Sequence, residues 1–380
     1  MPPIISTIGL FAFLAAATAS VSSPIPQPTP APGEIKVFKD WSVGCDNIGN
    51  CQAVSLVADM SGSAYDDWGG PISITRTPDD EDILKVVVLL QDGNIDRFKM
   101  LVDGRLVDTG PLIEGDYAIE IVGTDAAKVT SAIIKGKKLQ IIGPDGQNLT
   151  KISLAGSTAA LRYMDAKQKR AYTRTALVSK GRRTFKPLQI EIPTISVKQW
   201  ETAKRIPATT EIVDLVENSV CKDERFGVVE DQIYPMGKKD GRHRALVLIS
   251  CGSGAYNFSS APYIGEIKGN EKDGASWAFR PATFDLQPGW GGEGRAPLLV
   301  NAHWDAENQI LSSHAKGRGL GDCGSAESFV WDGEQFRLIE ASSMEECRGA
   351  YEWITTWRAK YQKAAAPAKK GPAKQVHSPE

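Results

Sequence analysis

Residues 328–340 of the 380-residue chain read SFVWDGEQFRLIE, two runs of apolar and aromatic character on either side of Asp332-Gly333. An Asp-Gly pair between such runs is typical of a β-hairpin, because both residues tolerate the positive φ of a tight turn. The same strand–turn–strand pattern recurs in residues 234–250 and 298–312. The second half is therefore predicted to be a multi-hairpin or propeller-like β domain.

The first half also consists of short apolar runs, separated by Gly, Asn, Asp or Pro. They occupy residues 36–38, 41–43, 53–57, 72–75, 84–90, 117–122, 139–142 and 151–154. Such punctuation favours an antiparallel sandwich or barrel over alternating strands and helices. Two helices are predicted between the halves, one beginning near Ser157 as a candidate N-cap and one over residues 210–218.

The predicted fold is mainly β, with two β-rich domains joined by a partly helical, basic connector. The apolar run of residues 4–17 suits a signal peptide, and it is shorter than the roughly 20 residues of a transmembrane helix. No transmembrane anchor is expected. The expected order is signal peptide 1–19, proline-rich disordered spacer 20–33, first β domain 34–155, connector 156–219, second β domain 220–362 and disordered tail 363–380.

Six cysteines follow the expected leader, and an even number in that context predicts disulfides made in an oxidising compartment. A periplasmic or secreted protein is therefore expected. The spacing alone does not choose among the possible connectivities, but each local group lies within or beside one predicted hairpin. Local pairing is thus favoured, and without Cys-x-x-Cys spacing neither a redox-active pair nor a zinc site is expected. The groups are Cys45 with Cys51, Cys221 with Cys251, and Cys323 with Cys347.

The net charge of −2 argues against a general affinity for nucleic acid or membranes, but the charges are segregated. Residues 166–190 contain no acid and eight cations. One interpretation is a surface for an anionic ligand, with Arg182 and Arg183 as candidate binding residues. The other, which composition favours, is a solvated connector that lies against the acidic first domain.

Several motifs occur in order along the chain: VFKDWSVGCD (37–46), CGSGAYN (251–257), KGRGLGDCG (316–324), WDGEQF (331–336) and CRG (347–349). Together they resemble the exported bacterial family known as domain of unknown function 1176. The first motif alone is also similar to the invasion-associated locus B proteins. The resemblance implies an exported envelope protein, and it supplies no catalytic residues.

The glycine-rich segment 316–324 allows two interpretations. Its backbone N–H groups could form an anion-binding nest, with Arg318 and Asp322 as candidate binding residues. Alternatively it is a tight turn that positions Cys323 for its disulfide, with Asp322 bonded to nearby backbone. The second interpretation is favoured.

Two functions from different classes follow, and neither requires a cofactor or a metal. The preferred function is a non-catalytic binding module for a protein or an envelope polymer, with nucleic acid disfavoured. Its loop aromatics, Trp290 first among them, are candidate contacts because Trp290 lies in a glycine-rich loop. The alternative is an envelope hydrolase with a site around His303, Asp305, His314 and Asp322, because the hairpin register would bring His303 diagonally opposite His314.

Overall fold

The structure is a computed structural model, and it describes ten segments of the chain. These are residues 27–58, 71–79, 83–90, 98–109, 113–115, 118–198, 201–227, 230–268, 276–289 and 296–363. The expected signal peptide and nearly all of the expected tail lie outside them.

Most of the elements in the first half are short strands, as predicted. In chain order they are β1 (Ile35–Phe38), β2 (Trp41–Cys45), β3 (Cys51–Ser55), β4 (Ile72–Arg76), β5 (Leu84–Leu89), β6 (Lys99–Val102), β7 (Arg105–Val107), β8 (Ile113–Gly115), β9 (Ala118–Val122), α1 (Gly123–Lys135), β10 (Lys138–Ile142), β11 (Asn148–Ser153) and α2 (Ser157–Lys167). Two antiparallel sheets result, ordered β1-β2-β3-β4-β5-β9-β8 and β11-β10-β6-β7.

Helices α1 and α2 pack on the seven-stranded sheet and complete one apolar core with it. Helix α1 buries Ala126, Val129 and Ile133, which recur at helical spacing. Helix α2 begins at Ser157, although that residue is not its N-cap: the Ser157 hydroxyl donates to the carbonyl of Leu154, and Gly156 caps the helix with a φ of 100°. A β-carbon on Gly156 would lie 1.7 Å from the Phe38 carbonyl oxygen, so only glycine fits there.

The second half contains one short helix and twelve strands in the described segments. They are β12 (Thr194–Val197), α3 (Val213–Glu217) after a 3₁₀ turn (Thr209–Ile212), β13 (Gln232–Lys239), β14 (Arg242–Ser253), β15 (Phe258–Lys268), β16 (Ser276–Pro281), β17 (Leu299–Val300), β18 (His303–Asp305), β19 (Ile310–Lys316), β20 (Gly324–Trp331), β21 (Phe336–Met344), β22 (Ile354–Arg358) and β23 (Lys360–Lys363).

Ten of these strands form two five-stranded antiparallel sheets that share one core. The other two, β12 and β23, pair in parallel as a separate two-stranded sheet. One five-stranded sheet runs β13-β14-β15-β16 with β17 added beside β15, and the other runs β18-β19-β20-β21-β22. Core residues such as Leu248 from the first sheet and Phe329 from the second belong to the same buried cluster. The prediction of a mainly β fold is confirmed. Of the two forms predicted for the second half, the multi-hairpin form matches this pair of packed sheets.

The two halves are in direct contact. Val54 and Leu56 of the first half share a buried cluster with Met344 and Ile354 of the second. Arg348 crosses the same boundary, where its guanidinium donates to the carbonyl oxygens of Val57 and Lys39 and to the carboxylate of Asp40. The predicted domain limits remain a prediction. Of the helices in the described segments, none has both the length and the apolar character to cross a membrane.

Candidate functional site

The six cysteines form the local disulfides that their places in or beside the predicted hairpins favour. Cys45 is bonded to Cys51, Cys221 to Cys251, and Cys323 to Cys347. Three disulfides fit a protein that works outside the cytoplasm.

The glycine-rich segment 316–324 serves the third disulfide. A β-carbon on Gly317 would lie 2.6 Å from the sulfur of Cys323, so this position must stay small. Arg318 Nε donates to Asp322 Oδ1 at 2.8 Å, and the backbone N–H of Gly349 donates to Asp322 Oδ2 at 2.7 Å. Burial would raise the pKa of Asp322, but the bonds from Arg318 and Gly349 outweigh it and lower that pKa. The guanidinium of Arg318 is therefore bonded to the Asp322 carboxylate of the same segment.

The residues of the hydrolase hypothesis also have local partners. His303 pairs with Ser312 across β18 and β19, so His314 is diagonal to His303, as the sequence predicts. The Asp305 carboxylate accepts from the backbone N–H groups of Glu307 and Asn308 and holds the turn.

His314 stacks on Trp353 with ring centroids 4.6 Å apart, and burial lowers its pKa. Asp322 is buried and bonded to Arg318. Within the described segments no three His, Cys, Asp or Glu side chains are grouped to hold a metal. Trp290 lies outside those segments.

The acid-free segment forms a different kind of site, which we call the basic loop (residues 169–186). Its shape is set by Asp165, a fully buried residue near the end of helix α2. The two Asp165 oxygens accept from the backbone N–H groups of Leu177 and Val178, both at 2.9 Å. The guanidinium of Arg76, also buried, lies 3.5 Å from Asp165 Oδ1. One carboxylate thus ties the middle of the basic loop to helix α2 and to strand β4.

Arg170 anchors the start of the basic loop against the first half of the chain. It is fully buried, and its Nη2 donates to the carbonyl oxygens of Thr77 at 3.3 Å and Asp79 at 3.1 Å. Its guanidinium carbon lies 3.6 Å from the centroid of the Phe185 ring, a cation–π contact that also fixes the end of the loop. This cation therefore lies against the first half of the chain, but it is buried and not solvated.

Backbone hydrogen bonds close the basic loop on itself. The Tyr172 N–H donates to Ser179, the Gly181 N–H to Thr173, and the Arg174 N–H to the carbonyl of Arg183. The loop is therefore a folded platform with defined edges rather than an extended linker.

Six cations stand on this platform and are exposed. Among the described residues none of the six forms an ion pair, in contrast to the buried Arg76, which pairs with Asp165. Tyr172 stands among them with 64% of its surface exposed. The six are Lys169, Arg174, Lys180, Arg182, Arg183 and Lys186.

The predicted site residues thus lie in two separate places. Arg182 and Arg183 lie in the basic loop, whereas Arg318 and Asp322 are bonded to each other in the glycine-rich segment. Sequence reasoning missed Asp165 and Arg76, the buried residues that shape the loop. One signal was available: Asp165 is the last acid before the acid-free run.

Fold and site together define a class of protein: mainly β, disulfide-bonded, with a structured basic loop on its surface. The chain belongs to the family described as "Protein of unknown function (DUF1176)", whose model matches residues 35–360. A relative, the "Uncharacterized protein YpfG" of Escherichia coli (strain K12), is 28% identical over 355 residues, which cover 88% of this chain and 95% of the relative. The family resemblance read from the motifs is confirmed, whereas the likeness to the invasion-associated locus B proteins stays a prediction.

Proposed function

We propose that the protein is a non-catalytic binding module, periplasmic or secreted, whose basic loop holds a polyanionic polymer of the cell envelope. The observation that carries this proposal is the contrast within one segment. Arg170 is buried and bonded, while six other cations stand exposed on a folded platform and have no carboxylate partner among the described residues.

Folding stability does not account for such an arrangement. Cations held close together repel one another, and this repulsion destabilises the folded loop. Exposed cations without partners contribute little to packing, so their removal would cost the fold almost nothing. A buried carboxylate and a buried guanidinium nevertheless hold the segment in one shape. The grouped cations lower the stability of the fold, yet the fold holds them at fixed positions. This supports a role for the basic loop in binding anions.

A polymer suits this surface better than a single small anion. The six cations are spread over one exposed loop. A chain of phosphate or carboxylate groups would contact several of them at once and release the counterions that accompany it. Tyr172 would add an exposed ring beside the chain of charges.

Reversing the charge of Arg182 and Arg183 tests the proposal. The double variant Arg182→Glu/Arg183→Glu is expected to bind inorganic polyphosphate at least about tenfold more weakly than the unchanged protein, because each cation near an anionic surface contributes roughly 1 kcal/mol. The slope of log affinity against log salt concentration should also become shallower. Fluorescence anisotropy of end-labelled polyphosphate at several salt concentrations measures both quantities.

Lys137→Glu/Lys138→Glu is the matched control. Like Arg182 and Arg183, these two lysines are adjacent cations that are exposed. Lys137 lies just before strand β10 and Lys138 begins it, so both are outside the basic loop. The control changes the net charge by the same amount, so it should retain most of the affinity. Equal losses in the two double variants would show that only net charge matters, and the proposed site would be wrong.

A further inference from the structure

A cavity of about 350 Å³ lies at one end of the sandwich in the second half. Leu248, a residue of the sandwich core, lines it. Gln232 pairs with Leu248 across β13 and β14, and Ser250 pairs with Ser260 across β14 and β15. Because cross-strand partners share a face and side chains alternate along a strand, these residues lie on the same face as Leu248. The cavity therefore continues the sandwich core beyond its apolar part.

Most of the residues that line this cavity are polar, and one of them is charged. Side-chain amides come from Gln232 and Asn301, hydroxyls from Ser250 and Ser260, and a carboxylate from Glu230. No Lys, Arg or His is among the lining residues. The Gln232 amide oxygen accepts from the hydroxyl of Tyr234 at 3.0 Å, which orients the amide. This lining offers hydrogen bonds to a neutral ligand and repels anions.

Phe258 provides an apolar surface beside these polar groups. Half of its surface is exposed, although it lies at the first position of strand β15. Asn301 holds its backbone on both sides: the Phe258 N–H donates to Asn301 Oδ1 at 3.0 Å, and the Asn301 N–H donates to the Phe258 carbonyl at 2.8 Å. The Asn301 amide also donates to the carbonyl of His314 at 2.9 Å. The backbone that carries the ring is thus held in place before any ligand arrives.

We propose that this cavity binds a neutral saccharide unit. The apolar face of a sugar ring would lie against Phe258, while its hydroxyls would bond to Gln232, Ser260 and Glu230. The volume is in the range of small-ligand sites, roughly 300–1,000 Å³, and an aromatic surface beside amides, hydroxyls and one carboxylate matches the two faces of a pyranose. This site is separate from the basic loop and does not depend on the proposed function.

The test uses an array of neutral glycans together with sulfated, phosphorylated and uronic glycans, probed with the full mature chain. We expect binding to at least one neutral glycan, followed by titration calorimetry with that glycan. Phe258→Ala should weaken the affinity about tenfold, because an aromatic contact contributes up to roughly 1.5 kcal/mol. Gln232→Ala should weaken it as well, and it provides a second variant if Phe258→Ala does not fold.

Two controls separate this site from the rest of the protein. Tyr351→Ala removes an aromatic residue that is 49% exposed and does not line the cavity, so it should bind normally. Arg182→Glu/Arg183→Glu should also bind the neutral glycan normally, even if polyphosphate binding is lost. The proposal is overturned if no neutral glycan binds at millimolar concentration, or if the glycans that bind are all acidic. It is also overturned if Phe258→Ala and Gln232→Ala, both folded, bind as tightly as the unchanged protein.

Discussion

Replacing Asp165 with alanine is expected to lower the free energy of unfolding by about 3 to 5 kcal/mol, the usual cost of removing one partner of a buried ion pair. The change leaves the buried guanidinium of Arg76 without its carboxylate. It also leaves the backbone N–H groups of Leu177 and Val178 without an acceptor. Urea unfolding with the disulfides intact, followed by tryptophan fluorescence, measures the loss.

The same variant should bind polyphosphate more weakly under conditions where it is still folded. If Asp165 holds the basic loop in shape, its removal spreads the six cations over many conformations, and binding must then order them again. Asp165→Asn should be intermediate in stability, because the amide retains one oxygen acceptor but loses the charge. Asp108→Ala is the control, since this carboxylate is exposed and should matter little to either measurement. An Asp165→Ala protein that is destabilised but binds normally would mean that the loop's shape is irrelevant to binding.

Local sequence patterns predicted those features of the fold that are decided by residues close together in the chain. The Asp-Gly turns at residues 240–241 and 332–333 and the pairing of Cys45 with Cys51 were visible because each is decided within a single hairpin. Asp240 and Gly241 indeed have the positive φ values expected of such a turn. The register that places His314 diagonally from His303 followed from the same kind of pattern.

Helix α1 escaped prediction because its composition conflicts with its structure. Val129, Thr130 and Ile133 are β-branched and have low intrinsic helix propensity, so the segment between two strands gave no clear helical signal. Packing against the seven-stranded sheet overrides that preference, since the same residues bury one apolar face. Tertiary contacts of this kind cannot be derived from a single sequence.

The candidate sites were predicted only in part for a similar reason. The acid-free run made the basic loop visible, but which of its cations are exposed depends on Asp165 and on carbonyl groups from residues 77 and 79. The cavity beside Phe258 is assembled from residues 230 to 302, which are distant in sequence and share no motif. Arg318 illustrates the opposite case, where a motif that suggested anion binding proved to bond within its own turn.

Replacing Asp322 with alanine is expected to cost about 2 to 4 kcal/mol at neutral pH, the range for removing a buried charged acceptor from its donors. Asp322 is fully buried, and it bonds Arg318 in one loop and the backbone of Gly349 in another. These two loops are also joined by the disulfide from Cys323 to Cys347. The covalent bond keeps the loops together in the variant, so the loss reports on the carboxylate itself. Guanidinium unfolding at neutral pH measures it.

The pH dependence of the free energy of unfolding provides a sharper test of the role of Asp322. Because its pKa is lowered in the folded protein, Asp322 stabilises the fold above the ordinary pKa of an aspartate. That contribution is lost as the pH falls through the lowered value, when the unfolded chain binds the proton more readily than the folded one. Asp322→Asn cannot titrate, so its stability should fall less steeply with acid than that of the unchanged protein. The matched control is Asp145→Asn, whose carboxylate also accepts a backbone hydrogen bond in a turn, from Gln147, but is exposed to solvent. The contrary result is that Asp322→Asn and the unchanged protein lose stability in parallel down to pH values below the ordinary pKa of aspartate. The bonds from Arg318 and Gly349 would then not stabilise the charged form of Asp322. The structural role assigned to the glycine-rich segment would be wrong.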